Sequence, residues 1–134
     1  MTPKEHLSRV KVLFDLIQQT ETEISMLKAS ADGMQGFSYD KERVQTSLAD
    51  TGLENQLVII EQMESRLKDL RVEYQLVRER VTANIDKLTN ERERKVLNLR
   101  YIEFKEWSDI FAEMNATQDV VYSLHKRALN HYRC

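Results

Sequence analysis

The chain is expected to be all-α: a long N-terminal antiparallel helical hairpin, coiled-coil-like, followed by a three-helix bundle that holds a helix-turn-helix. Three observations lead there. Glycine and proline number only three and one in 134 residues, and 31 % of the residues are charged, a composition suited to long solvent-exposed helices. No run of four or more alternating β-branched or aromatic residues marks a strand. Apolar residues recur instead at steps of three and four.

The first helix opens at Thr2-Pro3, a cap residue followed by proline at the first helical position. Leu7, Val10, Phe14, Ile17, Ile24 and Leu27 form its apolar stripe, interrupted by Thr20 and Glu21, and the helix is expected to end near Ser30. From residue 31 to 52 the pattern dissolves. Asp32-Gly33, Gly36, Ser38 and Asp50-Thr51-Gly52 are turn formers, so a long, partly ordered connection is expected, docking Phe37 or Tyr39 on a neighbour. The second helix, Leu53 to Leu88, carries a heptad-like seam through Leu57, Ile60, Leu67, Leu70, Tyr74, Val77 and Val81. Such a stripe needs a partner. The first helix, giving a hairpin, and a second copy, giving a homodimer, both qualify. Arg66, Arg71, Arg78 and Arg80 do not make a basic stripe, because Glu61, Glu64, Glu73 and Glu79 break it up.

Thr89 is placed to cap a third helix from Glu91 to about Tyr101, with Glu91 and Glu93 at the positive end of its dipole. Trp107, Ile110 and Met114 define a short fourth helix. Asn115 tolerates the left-handed conformation that ends it, and Thr117 is a cap for a fifth, Gln118 to Tyr132. Val121, Leu124, Ala128 and Leu129 line the inner face of that last helix, while Gln118, Tyr122, Ser123, Lys126, Arg127 and Asn130 are left outside. The expected domains are 1–88, a hairpin with its loop at 31–52, and 89–134, the helix-turn-helix. Arg100 and Asp109 could pair across the third and fourth helices. Helix, tight turn and a polar-faced second helix are the parts that major-groove reading requires.

Charge tempers that reading. The net charge is -2, and from Leu88 onward eight Lys/Arg meet seven Asp/Glu. Phosphate neutralisation supplies most non-specific DNA affinity, so an isolated monomer would grip weakly. A dimer, or a chain held partly by another protein, suits the balance better. Cys134 is the one cysteine, so neither an internal disulfide nor a thiolate metal site is expected. His125 and His131 stand six apart on different helix faces, and His6 is remote in sequence. No metal, cofactor or small-molecule substrate is expected. Carboxylates such as Glu61, Glu64 and Asp69 are interleaved with Lys68 as solvated surface pairs, and no nucleophile or phosphate loop stands in a recognisable setting; an enzyme is not expected. No stretch approaches about 18 apolar residues and no signal-peptide core opens the chain, so a cytoplasmic protein without a membrane partner is expected.

The residues from Leu88-Thr89-Asn90-Glu91-Arg92-Glu93-Arg94-Lys95-Val96-Leu97 to Tyr101 resemble the opening of sigma-factor region 4. Trp107-Ser108-Asp109-Ile110, Thr117, Val121, Leu124 and Ala128-Leu129 continue the match in register. With the upstream helices and the segment from Tyr39 to Ser47, the chain is similar to small phage and prophage late transcription regulators of the RinA/ArpU type. The resemblance implies a domain that reads a promoter element in double-stranded DNA and contacts RNA polymerase. Carried over by position, Gln118, Asp119, Tyr122 and Ser123 would face base edges, and Lys126 and Arg127 would sit nearer phosphate. Thr117 opens the same face. The departures are Gln118, Asp119, Val120 and Tyr122 where the family is rich in arginine, Phe111 in place of a small residue, and Asn115 in place of the turn glycine. Without early arginine, bidentate guanine reading is not available there. Gln118 and Tyr122 suit adenine edges and thymine methyls instead. A helical adaptor that binds polymerase or another regulator, without touching DNA, is the competing expectation.

Overall fold

The computed structural model describes the backbone of residues 1–41 and 46–134 and the side chains of residues 1–32 and 52–134. The fold is all-α, with no strand among the described residues. Its helices are α1 (Pro3–Lys41), α2 (Thr46–Asp86), α3 (Glu91–Leu97), α4 (Trp107–Met114) and α5 (Gln118–His131), with a π-helical turn at Asn98–Ile102 after α3.

The start of α1 is built as its residues dictate. The Thr2 hydroxyl accepts the Glu5 backbone N–H at 3.2 Å, and the Glu5 carboxylate accepts the Thr2 backbone N–H at 3.3 Å. This reciprocal pair satisfies two donors that a helix start leaves free. Its end differs from expectation. The helix continues past Ser30 to Lys41, and α2 begins at Thr46, ahead of Leu53. Gly33 and Gly36 each cost a helix about 1 kcal/mol, but an established helix propagates without a second nucleation penalty. The long connection expected at 31–52 is thereby reduced to residues 42–45, which lie outside the described residues, as do the side chains of Phe37 and Tyr39.

The chain divides into two compact units, Asp15–Val72 and Met1–Phe14 with Glu73–Cys134. The cut does not fall at Leu88, because the first turns of α1 and the last turns of α2 share a core with the C-terminal helices.

In the unit Asp15–Val72, α1 and α2 run antiparallel. Lys28 meets Glu64 at 3.8 Å, Arg71 meets Glu21 at 3.3 Å, and the Gln56 amide donates to the Leu27 carbonyl at 3.1 Å. The two ion pairs are about half exposed and contribute little. Burial of Ile17, Ile24, Ala31, Ile60 and Leu67 supplies the stability. Thr20 does not interrupt the stripe: it is buried, its hydroxyl donating to the Leu16 carbonyl at 2.8 Å. The α2 seam departs from expectation at one position, Leu57, while Leu53 at its start is half-buried. Gln56, Ile60, Met63, Leu67 and Leu70 turn inward at steps of three and four, whereas Leu57 is 44 % exposed. Met63 fills the wider gap in the apolar pattern, so the repeat extends back to Gln56 and leaves Leu57 outside.

In the other unit, Leu7 and Val10 of α1 and Val81 and Ile85 of α2 are fully buried with Val96, Leu97, Ile110, Val121 and Ala128. Tyr74 and Val77 pack against this cluster, partly buried. Tyr132, 1 % exposed, closes it. Its hydroxyl lies 2.7 Å from His6 Nδ1, and Asn84 donates to it at 3.4 Å. One tyrosine thus ties the beginning of α1, the end of α2 and the end of α5. Asn90, not Thr89, caps α3: its side chain accepts from the Arg92 and Glu93 backbone N–H groups at 2.9 and 3.1 Å. Glu93, 3 % exposed, is then met by His131 Nδ1 at 2.7 Å, fastening α5 to α3.

After α3 the helix widens into the π turn and stops at Phe104, whose φ is 59°. Left-handed backbone at a bulky residue is strained. The Phe104 ring offsets it by packing 5.1 Å from Phe14 and lying 5.3 Å from the Lys11 ammonium.

Asn115 adopts the expected left-handed conformation, φ 50° and ψ 49°. The Ala116 N–H donates to the Phe111 carbonyl and the Asn115 N–H to the Ala112 carbonyl, each at 3.2 Å. This double closure ends a helix at a left-handed residue. A side chain that pays the full left-handed cost should weaken it: Asn115→Ala is expected to lose about 1 kcal/mol, and Asn115→Gly to recover it. Urea unfolding of the three proteins checks this.

Candidate nucleic-acid interface

The short helix α4 and the helix α5 meet across Asn115-Ala116-Thr117. Ile110 and Met114 of α4, and Val121, Leu124 and Ala128 of α5, are buried in the unit's core. Their spacing fixes the rotation of α5, with Leu129 half-buried at the margin. Thr117 occupies the cap position with extended backbone, but its side chain makes no capping bond. The turn is already closed by the backbone bonds of Asn115 and Ala116, and the Thr117 residue is left exposed.

All seven residues expected at the interface are exposed: Thr117, Gln118, Asp119, Tyr122, Ser123, Lys126 and Arg127. They lie on one helix and its entry, away from the core side. Tyr122, 39 % exposed, is also braced. The Trp107 ring meets it edge-on at 5.1 Å and the Phe111 ring at 5.6 Å, with interplanar angles of 81° and 78°. Phe111 is therefore one jaw of an aromatic clamp on Tyr122, with Trp107 the other. Edge-to-face pairs of this kind contribute about 0.5–1.5 kcal/mol each. The aromatic spacing of Trp107 and Phe111 was visible in the sequence; that both converge on Tyr122 needs the angle between α4 and α5.

Trp107 stands at the interface margin, half-buried, and not deep in the core. Arg100 stacks on it at 4.7 Å and donates to the Lys105 carbonyl at 3.0 Å. That replaces the expected pairing of Arg100 with Asp109: the left-handed Phe104 folds the chain back and brings the Lys105 carbonyl within the guanidinium's reach. Lys105 in turn pairs with Glu113 at 2.8 Å.

The histidines are used separately. His6 meets Tyr132, His131 meets Glu93, and His125 Nε2 lies 2.8 Å from the Tyr101 hydroxyl, its ring stacked on Tyr101 at 5.7 Å and edge-on to Trp107 at 5.0 Å. Burial, then the charges of Lys4 and Arg100, push the His125 pKa down to about 4. Burial and Arg80 lower that of His6 as well. Between the ordinary histidine value of 6.5 and about 4 the unfolded chain binds the His125 proton and the folded chain does not. Stability contributed by neutral His125 is therefore complete above 6.5 and falls as pH drops through that window. Chemical denaturation at a series of pH values should show the decline, and His125→Gln should flatten it.

Charge is divided between the units more sharply than across Leu88. Met1–Phe14 with Glu73–Cys134 holds fourteen Lys/Arg against eleven Asp/Glu, whereas Asp15–Val72 holds six against eleven. The α1 turns that join the C-terminal helices bring Lys4, Arg9 and Lys11 with only Glu5 opposed, and Arg9 is engaged by Glu73 at 2.6 Å.

No helix of the described residues is long and apolar enough to cross a membrane. Comparison with protein-family models, with curated proteins and with solved structures finds no match for this chain.

Proposed function

We propose that the chain is a sequence-specific DNA-binding transcriptional regulator of the phage or prophage type, working in the cytoplasm by inserting α5 into the major groove. The observation that carries the reading is the outward side of α5. It follows a turn closed at a left-handed Asn115, and the side from Gln118 to Arg127 is left open to solvent. A helix presented this way has the dimensions the groove admits. Gln118 would address adenine, Tyr122 a thymine methyl, and Lys126 and Arg127 the phosphates.

A gel-shift of the purified chain on the DNA upstream of its own gene, across a salt series, tests this. One fragment should be retained in preference to others as salt rises, because the base-specific part of binding resists salt better than the phosphate part. Equal release of every fragment would end the proposal.

The exposure of Val120, at 42 %, favours one further reading. An exposed valine on the α5 surface suits a protein partner better than a DNA groove, so the chain could act as an adaptor for RNA polymerase. Under it, no fragment is retained and a polymerase subunit is captured in its place. A homodimer is tested by molecular mass in solution. Its contact would lie elsewhere than on Ile60, Leu67 and Val81, which the chain buries within itself.

A further inference from the structure

The weak positive charge of the helix-turn-helix calls for a second source of phosphate contacts, and the opening turns of α1 are well placed to supply it. Lys4, Ser8 and Lys11 fall at i, i+4 and i+7, one face of α1. A groove of about 260 Å³ is lined by Ser8, Lys11 and Val12 from α1 and by Arg100, Phe104 and Glu106. Glu106 immediately precedes α4, so this α1 face lies beside the entry to the helix-turn-helix. The charges of Lys4 and Arg100 also act on His125, which stands one turn beyond Tyr122 on α5. Lys4 is exposed one turn before Ser8 on the same face, and the groove itself holds the cations Lys11 and Arg100 with the single carboxylate of Glu106.

We propose that the α1 face carrying Lys4, Ser8 and Lys11 lies along the phosphate backbone of duplex DNA, extending the α5 surface across the groove edge. The inference rests on the reading of α5 as the base-contacting helix. Charge complementarity and continuity with that helix single out a polyanionic backbone as the occupant. Lys4 and Lys11 act as positioning contacts with no part in sequence choice.

The experiment measures the affinity of the full chain for a mixed-sequence duplex and for its preferred fragment, across a salt series. Lys4→Gln should lower the slope of log affinity against log salt by about 0.9, the value of one lost phosphate contact on duplex DNA. It should leave the ratio between the two duplexes unchanged. Lys4→Arg should restore the slope, and Lys28→Gln, a change on the acidic unit, should not alter it. Far-ultraviolet circular dichroism confirms that each variant is folded. A wild-type chain that binds and a Lys4→Gln slope that does not move would overturn the α1 contact alone. A wild-type chain that retains neither duplex, or captures only protein, would overturn this inference together with the DNA-binding reading.

Discussion

Tyr132→Ala is expected to cost the unit that contains it about 3–5 kcal/mol, the range for deleting a large buried aromatic side chain. The residue is 1 % exposed, and its hydroxyl meets His6 and Asn84. Removing the ring leaves a cavity where α1, α2 and α5 converge, and it leaves both polar partners without their acceptor or donor. Tyr132→Phe separates the two effects, since it keeps the ring and loses only hydrogen bonding, at about 1 kcal/mol. Urea denaturation followed by circular dichroism should rank the proteins wild type, Tyr132→Phe, Tyr132→Ala. Equal midpoints for all three would mean that Tyr132 does not fasten these helices.

The second large effect concerns recognition. Under the proposed function, Tyr122→Ala should weaken binding to the preferred fragment by roughly 5- to 150-fold, the cost of about 1–3 kcal/mol per base contact. Binding to unrelated duplexes should change far less. Lys126→Ala should weaken both alike and lower the salt slope by about one contact. The clamp makes Tyr122 a sharper probe than an ordinary surface side chain. Trp107 and Phe111 hold its ring before DNA arrives, so less ordering entropy opposes the contact. An equal loss on every duplex would remove Tyr122 from base reading.

Much of the fold was legible because it is encoded locally. The bounds of α4 and the start of α5 follow from Trp107, Ile110 and Met114 at helical spacing and from Asn115, a residue suited to left-handed backbone. The α2 repeat was legible too, but Gln56 at a seam position reads as polar, and the apolar Leu57 beside it takes its place in the pattern. Gly33 and Gly36 read as turn signals, although a long helix passes through both. Thr89 and Asn90 are both capable caps, and only backbone geometry chooses Asn90. At the candidate interface, exposure of Gln118 to Arg127 followed from the periodicity of Val121, Leu124 and Ala128. The Trp107–Tyr122–Phe111 clamp did not, since it depends on the angle at which α4 and α5 meet.

The meeting of His6 with Tyr132 spans 126 positions, and it sets a limit on dissection. A fragment cut before Thr89 would keep every helix of the helix-turn-helix yet forfeit Leu7, Val10, Val81 and Ile85, all fully sequestered from water in the intact chain. Such an excised piece would present raw apolar surface and should clump or melt, whatever its affinity for nucleic acid. The C-terminal third cannot be treated as a portable module.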